Sequence, residues 1–95
     1  MDRKLQVVQQ IAKRKGFPDV EISKAAGKRF AIKSPTGRLV NFGSWPYTGK
    51  GAFIDHGDEK IKAAWRARHS KIMRQGKPAY LDRESPEYYA WNLLW

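Results

Sequence analysis

Hydrophobic positions near the start of the chain recur at intervals of three and four: Leu5, Val8, Ile11 and Ala12. That spacing predicts a helix with one buried face, capped by Asp2 and stopped by Gly16 and Pro18. Arg3, Lys4, Lys13, Arg14 and Lys15 fall on its other face. The pattern then changes to alternation. VEIS (20–23) reads as a short strand, and KRFAIK (28–33) and RLVNF (38–42) read as two more around Ser34-Pro35-Thr36-Gly37, which has the Pro and Gly of a tight turn. In the hairpin this predicts, Phe30 and Ile32 face the same way as Val40 and Phe42.

From Gly43 to Gly57 neither period holds, and four glycines mark a loop. Its rings, Trp45, Tyr47 and Phe53, predict a loop that folds down onto the body. Helical spacing returns over 58–74, with Ile61, Ala64, Trp65, Arg68 and Ile72 on one stripe, and Gly76 and Pro78 end it. A linker leads to Glu84. Ser85 as cap and Pro86 at the first helical position then begin a short last helix that carries the chain to YYAWNLLW. The expected fold class is therefore α+β: an N-terminal helix, a hairpin within two to three antiparallel strands, one long basic helix and a short aromatic C-terminal helix. Residues 1–95 form a single domain in this reading, with 1–17 as an appended element and no internal repeat.

Composition agrees with a compact domain, since 41% of residues are hydrophobic and 13% aromatic. With no cysteine, disulfides and thiolate metal sites are excluded. No apolar run approaches the roughly 18 residues of a membrane span, and the first residues are too polar for a secretion signal. A location inside the cell, or in a particle assembled there, is expected. Charge changes the picture most. A net +10 on 95 residues costs stability by self-repulsion and favours polyanionic partners, nucleic acid first, with acidic protein or an anionic membrane surface as alternatives.

Three groups of residues are candidates for function. In FIDHGDEK (53–60), His56 and His69 are the only nitrogen donors for a metal, thirteen residues apart, so a carboxylate such as Asp55 or Asp58 would have to complete any site. A metal-dependent nuclease built on His56, Asp58 and His69 is the enzymatic alternative. The simpler reading is architectural: Asp55 caps the long helix, Asp58 and Glu59 suit its first turn, and Lys71 and Arg74 suit its last. His56 then bonds to Asp58 or to backbone, while His69 and Arg68 tie the helix to the hairpin or tail. No catalytic, metal or cofactor site is assigned.

Between 60 and 77 there are seven basic residues and no acid. Lys60, Lys62, Arg66, Lys71, Arg74 and Lys77 are assigned to nucleic-acid phosphates, and Arg68 is the one expected to turn inward beside Trp65. Asn and Gln are absent from the helix, so little sequence preference is expected. The third group is aromatic. Rings at helical spacing are usually core, yet Tyr88, Trp91, Leu94 and Trp95 are a large apolar load at a chain end, and they are assigned to binding a protein partner.

The succession NFG (41–43), FIDHGDEK (53–60), RARH (66–69) and WNLLW (91–95) resembles a group of small proteins of large DNA viruses, including viruses of algae. His56, Asp58, Glu59, Lys60, Arg68 and His69 match its pattern; Trp65 stands where Tyr is frequent, and Tyr80 where Trp is. The resemblance covers roughly 28–95 and leaves the N-terminal helix outside. It implies a viral protein carried in the virion, present in the host cell interior during assembly, and brings no catalytic role. The expected function is a minor capsid component that docks on capsid or other virion proteins and faces packaged nucleic acid. The alternative is a free, sequence-nonspecific nucleic-acid-binding protein.

Overall fold

The computed structural model describes residues 3–47 and 49–95, so the expected cap Asp2 lies outside the described residues. Helix α1 (Leu5–Arg14) buries Val8 and Ala12 on the stripe that spacing predicted. Its first cap position is Lys4, in a left-handed conformation. Three antiparallel strands follow in the order β1 (Val20–Ile22), β2 (Lys28–Lys33) and β3 (Leu39–Ser44). Register puts Phe30 opposite Phe42 and Ile32 opposite Val40, as alternation required. That face meets α1 and the last helix, α4 (Pro86–Leu93), in one core with Val8, Phe30, Phe42, Tyr89 and Leu93. Helix α1 thus shares the common core. The expected α+β class is the observed one.

Three stretches differ from the expectation. Within 43–57 lies a one-turn helix, α2 (Phe53–His56). The long helix, α3 (Glu59–His69), starts on Asp58, whose carboxylate accepts the Lys60 and Ile61 N–H groups, and it stops five residues before Arg74. The supposed linker is structured as well. Strands β4 (Met73–Arg74) and β5 (Lys77–Pro78) form a minimal hairpin, and a 3₁₀ turn, Ala79–Leu81, follows. Gln75 (φ 52°) and Gly76 (φ 82°) supply the successive left-handed residues of such a tight turn. Glu84 then accepts hydrogen bonds from Ser34 (2.7 Å) and Thr36 (2.8 Å), fastening this segment to the β2–β3 turn.

Helix α4 starts as predicted, with Ser85 accepting the Glu87 N–H at 3.1 Å and Pro86 in the first position. Among the described residues, no helix is long and apolar enough to cross a membrane.

Candidate nucleic-acid interface

Asp55, Asp58 and both histidines of 53–69 are occupied by the fold, while Glu59 stands exposed in the first turn of α3. Asp55 is a residue of α2, so it does not cap the long helix; Asp58 does. The Asp55 carboxylate receives both terminal nitrogens of Arg29 at 2.8 Å, and both side chains are almost fully buried, at 3% and 2% exposure. It also accepts the Ala52 N–H at 2.8 Å, and Lys4 stands 3.7 Å away. Burial alone would push the Asp55 carboxyl up. The Arg29 and Ala52 hydrogen bonds, with the charges of Arg29 and Lys4, together hold it below its ordinary value. Above Arg29 lie the rings of Trp45 (5.3 Å) and Tyr47 (5.2 Å), so the glycine-rich segment folds down as its aromatics suggested.

His56 accepts the Asp58 backbone N–H on Nδ1 at 2.9 Å, in the turn where it was expected. His69 bonds through Nδ1 to Glu87 of α4 at 2.6 Å, which makes the expected tie to the tail. Arg68 does not share that role. It is exposed on α3, and the inward-turned arginine is Arg29. Sequence reasoning missed Arg29 because alternation within β2 placed it on the face away from Phe30, which reads as solvent. No spacing signal connects it to Asp55, twenty-six residues on.

A ladder of rings separates the two histidines. His69 stacks on Trp65 at 3.8 Å, Trp65 on Trp95 at 4.6 Å, and Trp95 meets His56 at 5.5 Å. The pair therefore sits at opposite ends of two indoles instead of around one point. Among the described residues, no group of three His, Asp or Glu side chains is placed to hold a metal.

The basic residues divide into two sets. Lys60, Lys62 and Arg66 stand on α3, as expected. Lys71 follows its end, while Arg74 and Lys77 are in β4 and β5, so the six do not form one helix face. Arg74 is further drawn into an ion pair with Asp82 at 3.2 Å. Lys62 lies over the Phe53 ring at 4.4 Å, and Arg66 over Trp91 at 4.9 Å. Among the described residues, no ion pair joins Lys60, Lys62, Arg66, Lys71 or Lys77 to an acid.

Of the tail residues, Leu94 is a core side chain at 2% exposure, so it is not on the surface. Tyr88, Trp91 and Trp95 are half-buried: Trp91 stacks on Tyr80 at 4.2 Å, and Tyr88 meets Phe17 edge-on at 5.9 Å. The side chains most open to solvent among the large apolar ones include Ile72, Met73 and Leu81, around the β4–β5 hairpin.

Fold and surface define a small α+β domain whose acids are mostly engaged and whose cations largely are not. The chain belongs to a family of unknown function, DUF5754, which it matches over residues 19–69, from the β1 approach to the end of α3. No curated protein and no solved structure matches it.

Proposed function

We propose that this is a non-enzymatic basic structural protein of a large DNA virus, carried in the virion, which holds nucleic acid by its phosphates without reading sequence. One observation carries the reading: five acids are spent within the fold, while six of the seven cations of 60–77 pair with no acid among the described residues. Asp55 serves Arg29, Glu87 serves His69, Asp82 serves Arg74, Glu84 serves Arg38, and Asp58 caps α3. Lys60, Lys62, Arg66, Lys71 and Lys77 take no part in those pairs. Unpaired lysines and arginines on a folded surface suit contact with a phosphate backbone, where affinity comes from counterion release.

The viral setting rests on the resemblance of the NFG, FIDHGDEK, RARH and WNLLW series. Capsid proteins, the second partner in this reading, would meet the exposed edges of Tyr88, Trp91 and Trp95, since Leu94 is enclosed. Fluorescence anisotropy with labelled duplexes of unrelated sequence, from 50 to 300 mM salt, tests the binding. Equal affinities that fall steeply and linearly on a log–log salt plot are expected. Affinity indifferent to salt, or no binding at low salt, would sink it.

A further inference from the structure

Lys15, just past α1, and Lys62 and Arg66, one turn apart on α3, line a single hollow of about 160 Å³ beside the C-terminal end of α4. Phe53 and Trp95 supply apolar walls, and no Asp or Glu lines it among the described residues. Its volume is several times the roughly 10–15 Å³ that one water molecule needs, so a small hydrated anion fits.

Part of this arrangement serves the fold. Lys15 Nζ donates to the Asn92 carbonyl at 2.5 Å, and an Arg66 terminal nitrogen to the Trp91 carbonyl at 3.4 Å. Those carbonyls lie in the last turn of α4, whose dipole amounts to about half a negative charge. Three full positive charges face it, so the hollow stays strongly positive.

Two further observations show the imbalance. Burial pushes the Lys15 ammonium below its ordinary pKa, and repulsion from Arg66, Lys62 and Arg14 pushes it further. Arg66 Nε is buried with no hydrogen-bond acceptor, which leaves a charged group incompletely solvated. A negatively charged oxygen in the hollow relieves the repulsion among Lys15, Lys62 and Arg66.

We infer that the hollow is a phosphate subsite, in which Lys15, Lys62 and Arg66 hold one backbone phosphodiester of a nucleic acid. The source of the phosphate rests on the function proposed above; the chemistry of the subsite does not. Lys15 thereby joins the contact set from α1, outside the basic run 60–77 in which the other two lie.

The test pairs two measurements on the full chain. In the first, a ¹⁵N-labelled sample is titrated with inorganic phosphate and separately with a short oligonucleotide, following the amides of Lys15, Lys62 and Arg66. In the second, oligonucleotide affinity across salt is compared for wild type, Lys15→Gln, Lys62→Gln and the control Lys24→Gln, an exposed lysine in the β1–β2 connection. All variants are first checked for an unchanged fold by circular dichroism. The expected result is amide shifts with both ligands, and a loss of about one in the log–log salt slope for Lys15→Gln and Lys62→Gln. Affinity should fall at least fivefold further than for Lys24→Gln.

Oligonucleotide binding in which all three variants behave alike would overturn the subsite and leave the nucleic-acid function standing. Shifts with inorganic phosphate but no oligonucleotide binding would support the subsite and overturn nucleic acid as its source. No shift with either ligand would overturn both.

Discussion

Asp55 and Arg29 join two parts of the chain that share no periodic signal: the middle strand of the sheet and the one-turn helix before α3. Two charges taken out of water at 2% and 3% exposure are tolerable only together, and each leaves the other stranded if removed. Asp55→Ala is therefore expected to cost about 3–5 kcal/mol, while Arg29→Met combined with Asp55→Leu recovers most of that loss. Urea unfolding followed by tryptophan fluorescence checks both; a double variant as unstable as the single one would refute the account. The pair also sets a pH dependence. Because the folded carboxyl lies below its ordinary value, the stabilisation is complete above about pH 4 and disappears as pH falls through the folded value. Thermal melts should show a steeper acid-side loss for wild type than for the double variant.

At the scale of elements, Gly43 sits inside β3, one residue before its end, where a side chain would not fit. It has φ +79°, and a Cβ there would lie 3.0 Å from the Leu94 side chain and 3.1 Å from Arg29 Cβ. Gly76, at φ +82°, has nothing within 4 Å. Gly76→Ala should then cost about 1 kcal/mol for conformation alone, and Gly43→Ala about 2–3 kcal/mol because overpacking is added. Equal losses in denaturant melts would remove the steric part of this argument. The tail belongs to the same packing unit. Deleting Leu93-Leu94-Trp95 takes out two core residues and the outer indole on Trp65, so loss of cooperative unfolding is expected, with or without any partner.

Legibility followed the strength of local patterning. Val8 and Ala12 on α1, the Phe30–Phe42 and Ile32–Val40 pairs, and the Ser85-Pro86 start of α4 were all readable, because periodicity or capping chemistry determined each locally. The end of α3 was not. Ile72 continues the helical stripe and no breaker comes before Gly76, yet Gln75 and Gly76 make a hairpin turn that the sequence reads as a helix stop. Lys71, Arg74 and Lys77 consequently do not share the helix face that the spacing predicts. Lys15 escaped the candidate site for a related reason: its neighbours Lys62 and Arg66 are brought to it by tertiary packing, across nearly fifty residues of chain.

For the whole molecule, the surplus of cations acts on folding as well as on the binding proposed above. At 20 mM salt the Debye length is about 20 Å, a large part of the 31 × 28 × 27 Å extents of the domain, so like charges repel one another across much of its surface. Added salt screens that repulsion more than it weakens Asp55–Arg29, which is buried. The melting temperature should accordingly rise between 20 and 200 mM sodium chloride, opposite to a fold held by exposed ion pairs. Under the proposed function a polyanion should do more at far lower charge concentration, since binding to the folded state would stabilise it by mass action; at a hundredfold excess over its dissociation constant the gain is about 2.7 kcal/mol. Scanning fluorimetry with a DNA duplex, at 50 mM and again at 500 mM salt, separates the two effects. Duplex should raise the melting temperature of wild type at 50 mM and leave it unchanged at 500 mM, where phosphate contacts are competed away. A shift that persists at high salt would mean that the duplex is gripped by something other than its charge. A melting temperature that falls from 20 to 200 mM would mean that self-repulsion is not what the +10 charge imposes on this fold.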